Sequence, residues 1–433
     1  MKTFIWEDMD QNSRHLALAR PEGLSDSKKN DQVKSILLEV KLNGDAAIKS
    51  FTSTYDKVDL KTLRVPEIEL KNAWLNLPQK EKDAISIAKS NIQKFHLSQI
   101  PKDIEVETME GVFCKRETRA IQTAGLYVPG GTAPLVSTLL MLAVPAKVAG
   151  VRRRVVVSPP GANGKIHSSI LAAAYTCDVT DVFSCGGAQA IAGLSYGTES
   201  LPKCDKIFGP GNVYVSLAKS LVAQEIGGPA IDMPAGPSEA MVVANNEASP
   251  EFVAADLLSQ AEHDVLAQVI CVSTCKNLSN KIKAEIVKQV ETLPRKDVAK
   301  AAIKKSRMII ANSREMIIDI INSYSPEHLI LQLKNPETLV PAIRNAGSIF
   351  LGPWSPEAVG DYASGTNHTL PTNGAAKSYS GITVESFLKY ISIQKLSKKG
   401  LELLAPTVTC LAEMEGLEAH KRSVSIRLEP KNG

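Results

Sequence analysis

Short apolar segments alternate with helical segments along the middle of the chain, and this alternation limits the possible folds more than any other feature. Apolar runs at 154–157, 182–184 and 240–243 have the length of buried strands, and segments with helical periodicity, such as 250–261, follow them. Strands and helices alternating at this spacing predict parallel sheets covered by helices. Two such runs therefore predict an α/β chain with two similar units.

The composition excludes several classes of protein. A chain of 433 residues has room for roughly two to four structural units. A hydrophobic share of 44% with 22% charged residues excludes a largely disordered protein and a membrane channel. The net charge of +4, from 50 basic and 46 acidic side chains, is at most a sign of an anionic partner and does not indicate a nucleic-acid-binding protein. We therefore predict neither a nucleic-acid partner nor a membrane partner.

The amino terminus and the cysteines predict a cytoplasmic protein. Three of the first ten residues are acidic, and no apolar stretch of signal-peptide length follows them. The seven cysteines are an odd number, and only Cys271 and Cys275 lie close together, without the second pair that a zinc ribbon needs. We interpret the cysteines as core residues of a reduced protein.

Two glycine turns that precede helices indicate a site for an anion or a nucleotide. Gly209 and Gly211 begin like a dinucleotide fingerprint, but Tyr214 occupies the place of its third glycine. Glycine still allows a ligand to approach the backbone, and the free N–H groups of a helix start attract phosphate. The segment 186–189 has the same pattern. The alternative is that these glycines only close tight turns between strands and helices.

A second group of residues has the side chains of a metal site. Gln260 and His263 lie three residues apart at the end of a predicted helix, which puts both side chains on one face. Asp361, in a predicted loop with flanking glycines, offers a carboxylate, and His420 lies on the last predicted helix. These four side chains would form a nitrogen–oxygen site suited to zinc, although cobalt or manganese could replace it. Local spacing alone does not bring them together.

Glu327 and His328 form a carboxylate–imidazole pair in a turn between a helix and an apolar strand. An imidazole can accept a proton near neutral pH, and a neighbouring carboxylate can activate water. The alternative is a turn whose glutamate caps a helix and whose histidine is solvated. The pair is thus a candidate for acid–base catalysis.

The motifs of the chain, taken together, resemble one enzyme family. They occur in this order: LYVPGG (126–131), GGAQAIAGLSYGTES (186–200), GPGNVYVSLAK (209–219), DMPAGPSE (232–239), DLLSQAEHD (256–264), SPEHL (325–329), GDYASGTNHTLPT (360–372) and EGLEAH (415–420). From about residue 28 to residue 425 the chain resembles the histidinol dehydrogenase family. Ser325 and Ile330 are small departures, and neither is a residue to which we assign chemistry.

The resemblance implies specific roles for residues of this sequence. The zinc ligands that it implies are Gln260, His263, Asp361 and, from the partner subunit of a homodimer, His420. The residues implied to contact NAD are Tyr127, Gln189 and Asn212. Besides the metal ligands, the implied substrate contacts are Ser238, His328 and Glu415. Glu327 and His328 are the implied catalytic acid–base residues.

The resemblance also implies the domain organisation. It predicts two incomplete Rossmann-like domains with parallel sheets, one inserted in the other, and extended amino- and carboxyl-terminal segments that are swapped in a dimer with shared active sites. The predicted divisions are an amino-terminal arm (1–24), a discontinuous first domain (25–127 and 238–380), a second domain (128–237) and a carboxyl-terminal dimerisation segment (381–433). The polar, core-poor tail is consistent with packing against a second subunit.

The implied reaction is the zinc- and NAD-dependent four-electron oxidation of L-histidinol to L-histidine through bound L-histidinaldehyde, the last step of histidine biosynthesis. A paralogous zinc and NAD enzyme acting on another small alcohol, such as a sulfonated diol, is the nearest alternative. Glu327, Glu415 and His368 favour a cationic substrate that bears an imidazole over an anionic one. A zinc hydrolase, which would leave the glycine turns unused, and a non-catalytic nucleotide-binding module are more distant alternatives.

Overall fold

The computed structural model describes residues 1–21, 27–130, 134–234 and 236–430. The chain forms two compact units, one made of Met1–Gln99 and Ile121–Phe387 and the other of Ile100–Ala120 and Leu388–Gly433. Within the described residues, no helix combines the length and the apolar character needed to cross a membrane.

Fourteen strands lie in the described parts of the chain. They are β1 (Lys2–Ile5), β2 (Ile104–Met109), β3 (Val112–Ala120), β4 (Thr123–Tyr127), β5 (Arg153–Ser158), β6 (Asp181–Ser184), β7 (Lys206–Phe208), β8 (Ala230–Ile231), β9 (Glu239–Ala244), β10 (Gln268–Ser273), β11 (Arg307–Ile310), β12 (His328–Gln332), β13 (Ser348–Leu351) and β14 (Leu388–Leu396).

The same ranges contain fifteen α-helices and four short 3-10 helices. The α-helices are α1 (Gln11–Ala17), α2 (Ser27–Asp56), α3 (Glu67–Asn76), α4 (Gln79–Leu97), α5 (Val136–Val148), α6 (Ser168–Thr176), α7 (Gly187–Tyr196), α8 (Val213–Gln224), α9 (Pro250–Ala261), α10 (Lys276–Val290), α11 (Lys296–Lys305), α12 (Arg314–Tyr324), α13 (Glu357–Tyr362), α14 (Lys398–Met414) and α15 (Glu418–Ser425). The 3-10 helices are Pro336–Thr338, Val340–Ala342, Ala375–Lys377 and Val384–Phe387.

The larger sheet of the first unit has six parallel strands in the order β1-β11-β10-β9-β12-β13. Every residue of β9 and β10 is buried, because helices cover both faces of the sheet. Alternate residues of β9 face opposite cores: Val242 packs with α9, α10 and α11, whereas Val243 packs with α12.

The smaller sheet of the first unit has five parallel strands in the order β6-β5-β4-β7-β8. Residues of α2, α7 and α8 pack against one face, in a core that includes Val155, Phe183 and Ile207. Helix α5 packs on β4. The two parallel sheets confirm the α/β prediction, and the predicted strands at 154–157, 182–184 and 240–243 lie within β5, β6 and β9.

The amino-terminal residues differ from the predicted polar arm. Strand β1 pairs in parallel with β11 at the edge of the six-stranded sheet, and Trp6, which follows it, is buried in the core that α12 covers. A four-residue edge strand is too short to give a clear periodicity in the sequence. Residues 22–24 of the predicted arm lie outside the described residues.

The second unit combines an antiparallel sheet with two helices. Its strand order is β14-β3-β2, and α14 and α15 follow β14 in the chain. All six residues of β2 are exposed, as are all residues of β14 after its first. Cys410 on α14 is also exposed, so the interpretation of the cysteines as core residues is wrong for this one, although four of the seven are buried.

Each parallel sheet of the first unit has a point where the order of its strands reverses. In the five-stranded sheet this point lies between β4 and β7, whose carboxyl ends carry Tyr127 and the turn that contains Gly209. Crevices at such carboxyl ends are the usual binding place for nucleotides. In the six-stranded sheet the reversal lies between β9 and β12, whose amino ends are Glu239 and His328.

Candidate active site

A cavity of 1190 Å³ in the first unit is lined by the segments that follow β4, β6 and β7 and by the residues before β9. Pockets for small ligands commonly measure about 300–1000 Å³, so this cavity can hold a cofactor together with a small substrate. The three residues predicted to contact NAD line it, together with Ser238 and His263. The three are Tyr127, Gln189 and Asn212.

Tyr127 ends β4 and contacts the first turn of α7. Its hydroxyl oxygen accepts a hydrogen bond from the N–H of Gly187 at 3.2 Å. Burial raises the pKa of Tyr127 to about 12, so the phenol keeps its proton and can donate it to an acceptor in the cavity. Gly187 has φ +64°, and a Cβ there would lie 2.6 Å from Oε1 of Gln189, which explains the glycine. Gly131, at the end of the LYVPGG motif, lies outside the described residues.

Asn212 forms the start of α8. Its Oδ1 accepts hydrogen bonds from the N–H groups of Tyr214 at 3.0 Å and Val215 at 3.2 Å, which leaves its Nδ2 to donate to a ligand. The turn before it is held by a buried ion pair, since Nζ of Lys219 donates to the carbonyl of Gly209 at 2.9 Å and also contacts Asp232. These contacts of Lys219 therefore hold the glycine turn in place.

The turn that carries Glu327 and His328 is buried. Ser325 caps the carboxyl end of α12 in the left-handed region with φ +57°, and three residues later the chain enters β12 at His328. Glu327 is 7% exposed and His328 is 2% exposed, so the alternative of a solvated histidine is wrong. Oε2 of Glu327 accepts a hydrogen bond from the N–H of Glu239 at 2.8 Å and lies 3.7 Å from Nδ1 of His328.

Both ring nitrogens of His328 have polar partners. Nε2 lies 3.2 Å from Oδ1 of Asp361, and because a carboxylate only accepts, this nitrogen carries a proton. Nδ1 lies 2.9 Å from Nε2 of Gln260 and 3.3 Å from the carbonyl of Glu239. Burial opposes a charge on His328, but the carboxylates of Glu357, Glu327 and Asp361 outweigh it and raise the pKa of His328 well above its usual value.

The ligand atoms of His328, Glu357 and Asp361 all lie within 4.8 Å of one another. Burial raises the pKa of Glu357, whereas the hydrogen bond and charge of His328 overcome burial and lower the pKa of Asp361. This concentration of buried carboxylates favours a bound cation, and its carboxylate and imidazole ligands are those that zinc accepts.

The predicted metal ligands of the first unit lie near this cluster, although not as the sequence suggested. Asp361 lies in α13 and not in a loop, one turn after Glu357. Helix α9 ends at Ala261, so His263 lies beyond it, exposed, while Gln260 is buried. The backbone N–H of His263 still donates to the carbonyl of Gln260 at 3.3 Å, and that the two side chains share one face stays a prediction. His263 is still close enough for its charge to lower the pKa of Asp361.

Two other predicted site residues lie in the second unit. Glu415 directly follows α14, and His420 lies in α15. Both are exposed. The proposed roles of these and the other site residues remain predictions.

Sequence reasoning missed Glu357 and Asp256. Glu357 is 1% exposed, and its Oε2 lies 3.4 Å from the hydroxyl of Ser259 on α9. Its spacing of four residues from Asp361 would have indicated a shared helical face if α13 had been recognised. Oδ2 of Asp256 accepts a hydrogen bond from Nε2 of Gln332 at 2.9 Å, and burial raises the pKa of Asp256 to about 6.

Asp256 gives a pH-dependent prediction. When a carboxyl has a higher pKa in the folded than in the unfolded chain, the free energy of unfolding of the protein falls as the pH rises. For Asp256 this fall lies between about pH 4 and pH 6. Asp256→Asn should therefore raise the free energy of unfolding of the metal-free protein by about 1–2 kcal/mol at about pH 7.5, with little change near pH 4. Denaturant titrations at both pH values measure this, with the exposed Asp59→Asn as control. An equal effect at both pH values would contradict the assignment.

Comparison with known proteins identifies the family. A family model described as histidinol dehydrogenase matches residues 19–428. A histidinol dehydrogenase from Vibrio parahaemolyticus is 47% identical over 429 residues, 99% of each chain, and one from Colwellia psychrerythraea is 46% identical over 98% of each. The crystal structure of histidinol dehydrogenase from Elizabethkingia anophelis is 44% identical, with a TM-score of 0.95 over 99% of this chain and 98% of that one.

The match covers the glycine turns, the buried Glu327–His328 pair and the carboxylates beside it, and nearly the whole length of the relatives as well. The chain belongs to the histidinol dehydrogenase family.

Proposed function

We propose that this chain oxidises L-histidinol to L-histidine in a zinc- and NAD-dependent four-electron reaction, through bound L-histidinaldehyde, as the last step of histidine biosynthesis. The observation that carries the proposal is the buried Glu327–His328 pair next to Asp361, in a chain that matches this family over nearly its full length. The protein is accordingly an NAD-dependent dehydrogenase.

The residues of the chain suit both cofactors. Gln260, His263 and Asp361, with His420 of the partner subunit, would hold zinc, which when bound supplies a redox-silent centre for the amino and imidazole nitrogens of the substrate. Buried carboxylates in excess of nearby cations support a divalent ion there. The residues of the glycine turns, Tyr127, Gln189 and Asn212, would hold NAD, which when bound supplies the hydride acceptor.

The acid–base pair can perform two different proton transfers. An alcohol carbon releases hydride only as its hydroxyl loses a proton, and His328 in its neutral form would take that proton. A cation bound among the neighbouring carboxylates would favour this neutral form, because it would offset the charges that raise the pKa of His328. The aldehyde can be oxidised to an acid only after water adds to it as a gem-diol, and Glu327 would activate that water. The N–H of Glu239 donates a hydrogen bond to the carboxylate of Glu327, which holds that carboxylate in place. Burial of the pair excludes competing water and protects the aldehyde.

The negative charge around the site favours histidinol as the substrate over the alternative, a sulfonated diol. The carboxylates of Glu327 and Asp361 attract a cationic amine and repel a sulfonate. The test is a comparison of kcat/KM for histidinol and for a sulfonated diol with zinc-loaded protein and NAD. We expect turnover of histidinol and little of the diol; the reverse order would overturn the proposal.

We further propose that one Rossmann-like domain is inserted in the other. In support, β1 and β9–β13 form the six-stranded sheet, whereas β4–β8 of the five-stranded sheet lie between them in sequence. Strand β4 pairs with β5 and β7, so a boundary drawn by sheet membership falls before Thr123 and not at residue 127. A cytoplasmic location and the absence of nucleic-acid or membrane partners remain predictions.

We also propose a homodimer in which the terminal segments are swapped and His420 completes the active site of the partner. In support, the second unit exposes many large apolar side chains, which a soluble monomer rarely leaves uncovered, so the expectation of a polar tail is wrong. They include Ile104, Val106, Tyr390, Ile391, Ile393, Leu403, Leu411, Met414, Leu417 and Ile426. A second copy of the chain is the occupant that this family implies.

Subunit mixing tests the shared site. His328→Asn and His420→Ala should each be nearly inactive alone, but a mixed dimer has one site with intact His328 and an intact His420 from the other chain. Co-expression should therefore restore about a quarter of the wild-type turnover. Co-expressed His328→Asn and Glu327→Gln, which damage the same half of each site, serve as the control without recovery. Mixed dimers that stay as inactive as this control would contradict the shared site.

A further inference from the structure

Arg20 contacts both segments of the chain that hold the candidate acid–base pair. Its Nη2 donates to Oε2 of Glu239 at 2.9 Å, and its Nε contacts the other carboxylate oxygen of Glu239. The same Nη2 donates to the carbonyl of Tyr324 at 2.7 Å, and the guanidinium lies 4.1 Å from the centre of the Tyr324 ring. Tyr324 ends α12, directly before the turn to Glu327 and His328. One planar side chain thus joins the start of β9 to the base of that turn.

The backbone of Glu239 contacts both residues of the acid–base pair, Glu327 and His328. Its N–H donates to Oε2 of Glu327 at 2.8 Å, and its carbonyl lies 3.3 Å from Nδ1 of His328. Its side chain is 4% exposed and also accepts a hydrogen bond from the N–H of Asn373 at 3.0 Å. The backbone of Glu239 therefore faces the pair while its carboxylate is held by Arg20.

Neighbouring residues hold Arg20 in its position. Gly374 has φ +75°, and a Cβ there would lie 3.2 Å from Nη1 of Arg20, so the glycine leaves room for the guanidinium. Gln268 accepts a hydrogen bond from the hydroxyl of Tyr324 at 2.9 Å and donates its amide hydrogen to the carbonyl of Ala19 at 3.1 Å. The segment at Ala19 and Arg20 is consequently anchored at two points.

We propose that Arg20 is a positioning residue that sets the carboxylate of Glu327 for water activation in the second oxidation. Without the guanidinium, the Glu239 carboxylate and the Tyr324 carbonyl lose the donors that join them, so the start of β9, with its backbone N–H, can shift relative to the turn that carries Glu327. A displacement of the order of 1 Å at a reacting group can lower its rate about a hundred-fold. The inference rests on the proposed function, because it assigns Arg20 to one step of that reaction.

The test measures the two oxidations separately, with histidinol and with histidinaldehyde supplied directly to zinc-loaded enzyme and NAD. Arg20→Met should slow aldehyde oxidation about ten- to a hundred-fold and alcohol oxidation less, and Arg20→Lys should recover only part of the loss. In the Arg20→Met background, Glu327→Gln should cost far less than it does alone, because both changes impair the same group. Arg14→Met is the matched control, since Arg14 also lies over an aromatic ring, that of Trp6, and bonds the Trp6 carbonyl.

Folding is tested by the double variant Arg20→Met with Glu239→Gln, which removes both charges and leaves no carboxylate unpaired. It should fold and bind zinc but keep the slow aldehyde step. Equal losses in both oxidations, or losses from Arg20→Met and Glu327→Gln that simply multiply, would overturn the positioning role. If the wild-type protein does not oxidise histidinol at all, the proposed function fails, which is a distinguishable result.

Discussion

Replacing His328 with asparagine should lower kcat for histidinol oxidation by about two to four orders of magnitude, the usual contribution of a general base. The imidazole lies between Gln260 and Asp361 and is buried, so solvent cannot easily substitute for it. Asparagine retains a polar group near Gln260 but cannot accept the alcohol proton at neutral pH. Steady-state turnover at saturating histidinol and NAD, with the zinc content measured on the same sample, checks the prediction.

The control is His15→Asn, which removes an exposed histidine of α1. It should leave kcat unchanged. If His328→Asn kept bound zinc and turned over at the wild-type rate, His328 would have no part in the proton transfer, and Glu327 would be the remaining candidate for both steps.

Replacing Asp361 with asparagine should weaken zinc binding by more than about a hundred-fold, because even residues that only support a metal ligand contribute about ten- to a hundred-fold. Asp361 is the one residue that belongs both to the ligand set implied by the family resemblance and to the compact cluster with His328 and Glu357. Activity should fall with the zinc content and return partly at high zinc concentration. Competition with a chelator of known affinity measures the change.

Glu357→Gln is the matched comparison, because Glu357 lies one turn earlier on α13 and belongs to the same cluster with His328. If Glu357 only supports the site, this variant should lose no more than about ten-fold in zinc affinity. A loss as large as that of Asp361→Asn would make Glu357 a direct ligand and would require the proposed ligand set to be revised.

The elements that the sequence predicted best are those with strong local patterns. Helix α9 was predicted over 250–261, as observed, because Ser249 caps it and Pro250 starts it. Strand β9 was recognisable because a fully buried strand is a continuous apolar run. The site motifs were found for a similar reason, since glycines, histidines and acids cluster in short segments.

The features that the sequence did not reveal depend on contacts between distant segments. Helix α13 is only six residues long and contains Gly360, which made Asp361 look like a loop residue. The burial of Glu357 results from packing near Ser259, and the position of Arg20 results from pairing with Glu239, more than 200 residues away. Such pairings follow from the tertiary fold and leave no periodic trace in the local sequence.

The most direct test of the account is a count of NADH formed per histidinol consumed, in a progress curve run to completion with limiting histidinol. The reaction proposed for Glu327 and His328 includes both oxidations, so we predict two NADH per histidinol and histidine as the only product. One NADH per histidinol, with free aldehyde in solution, would mean that the site stops at the alcohol step and would contradict the account.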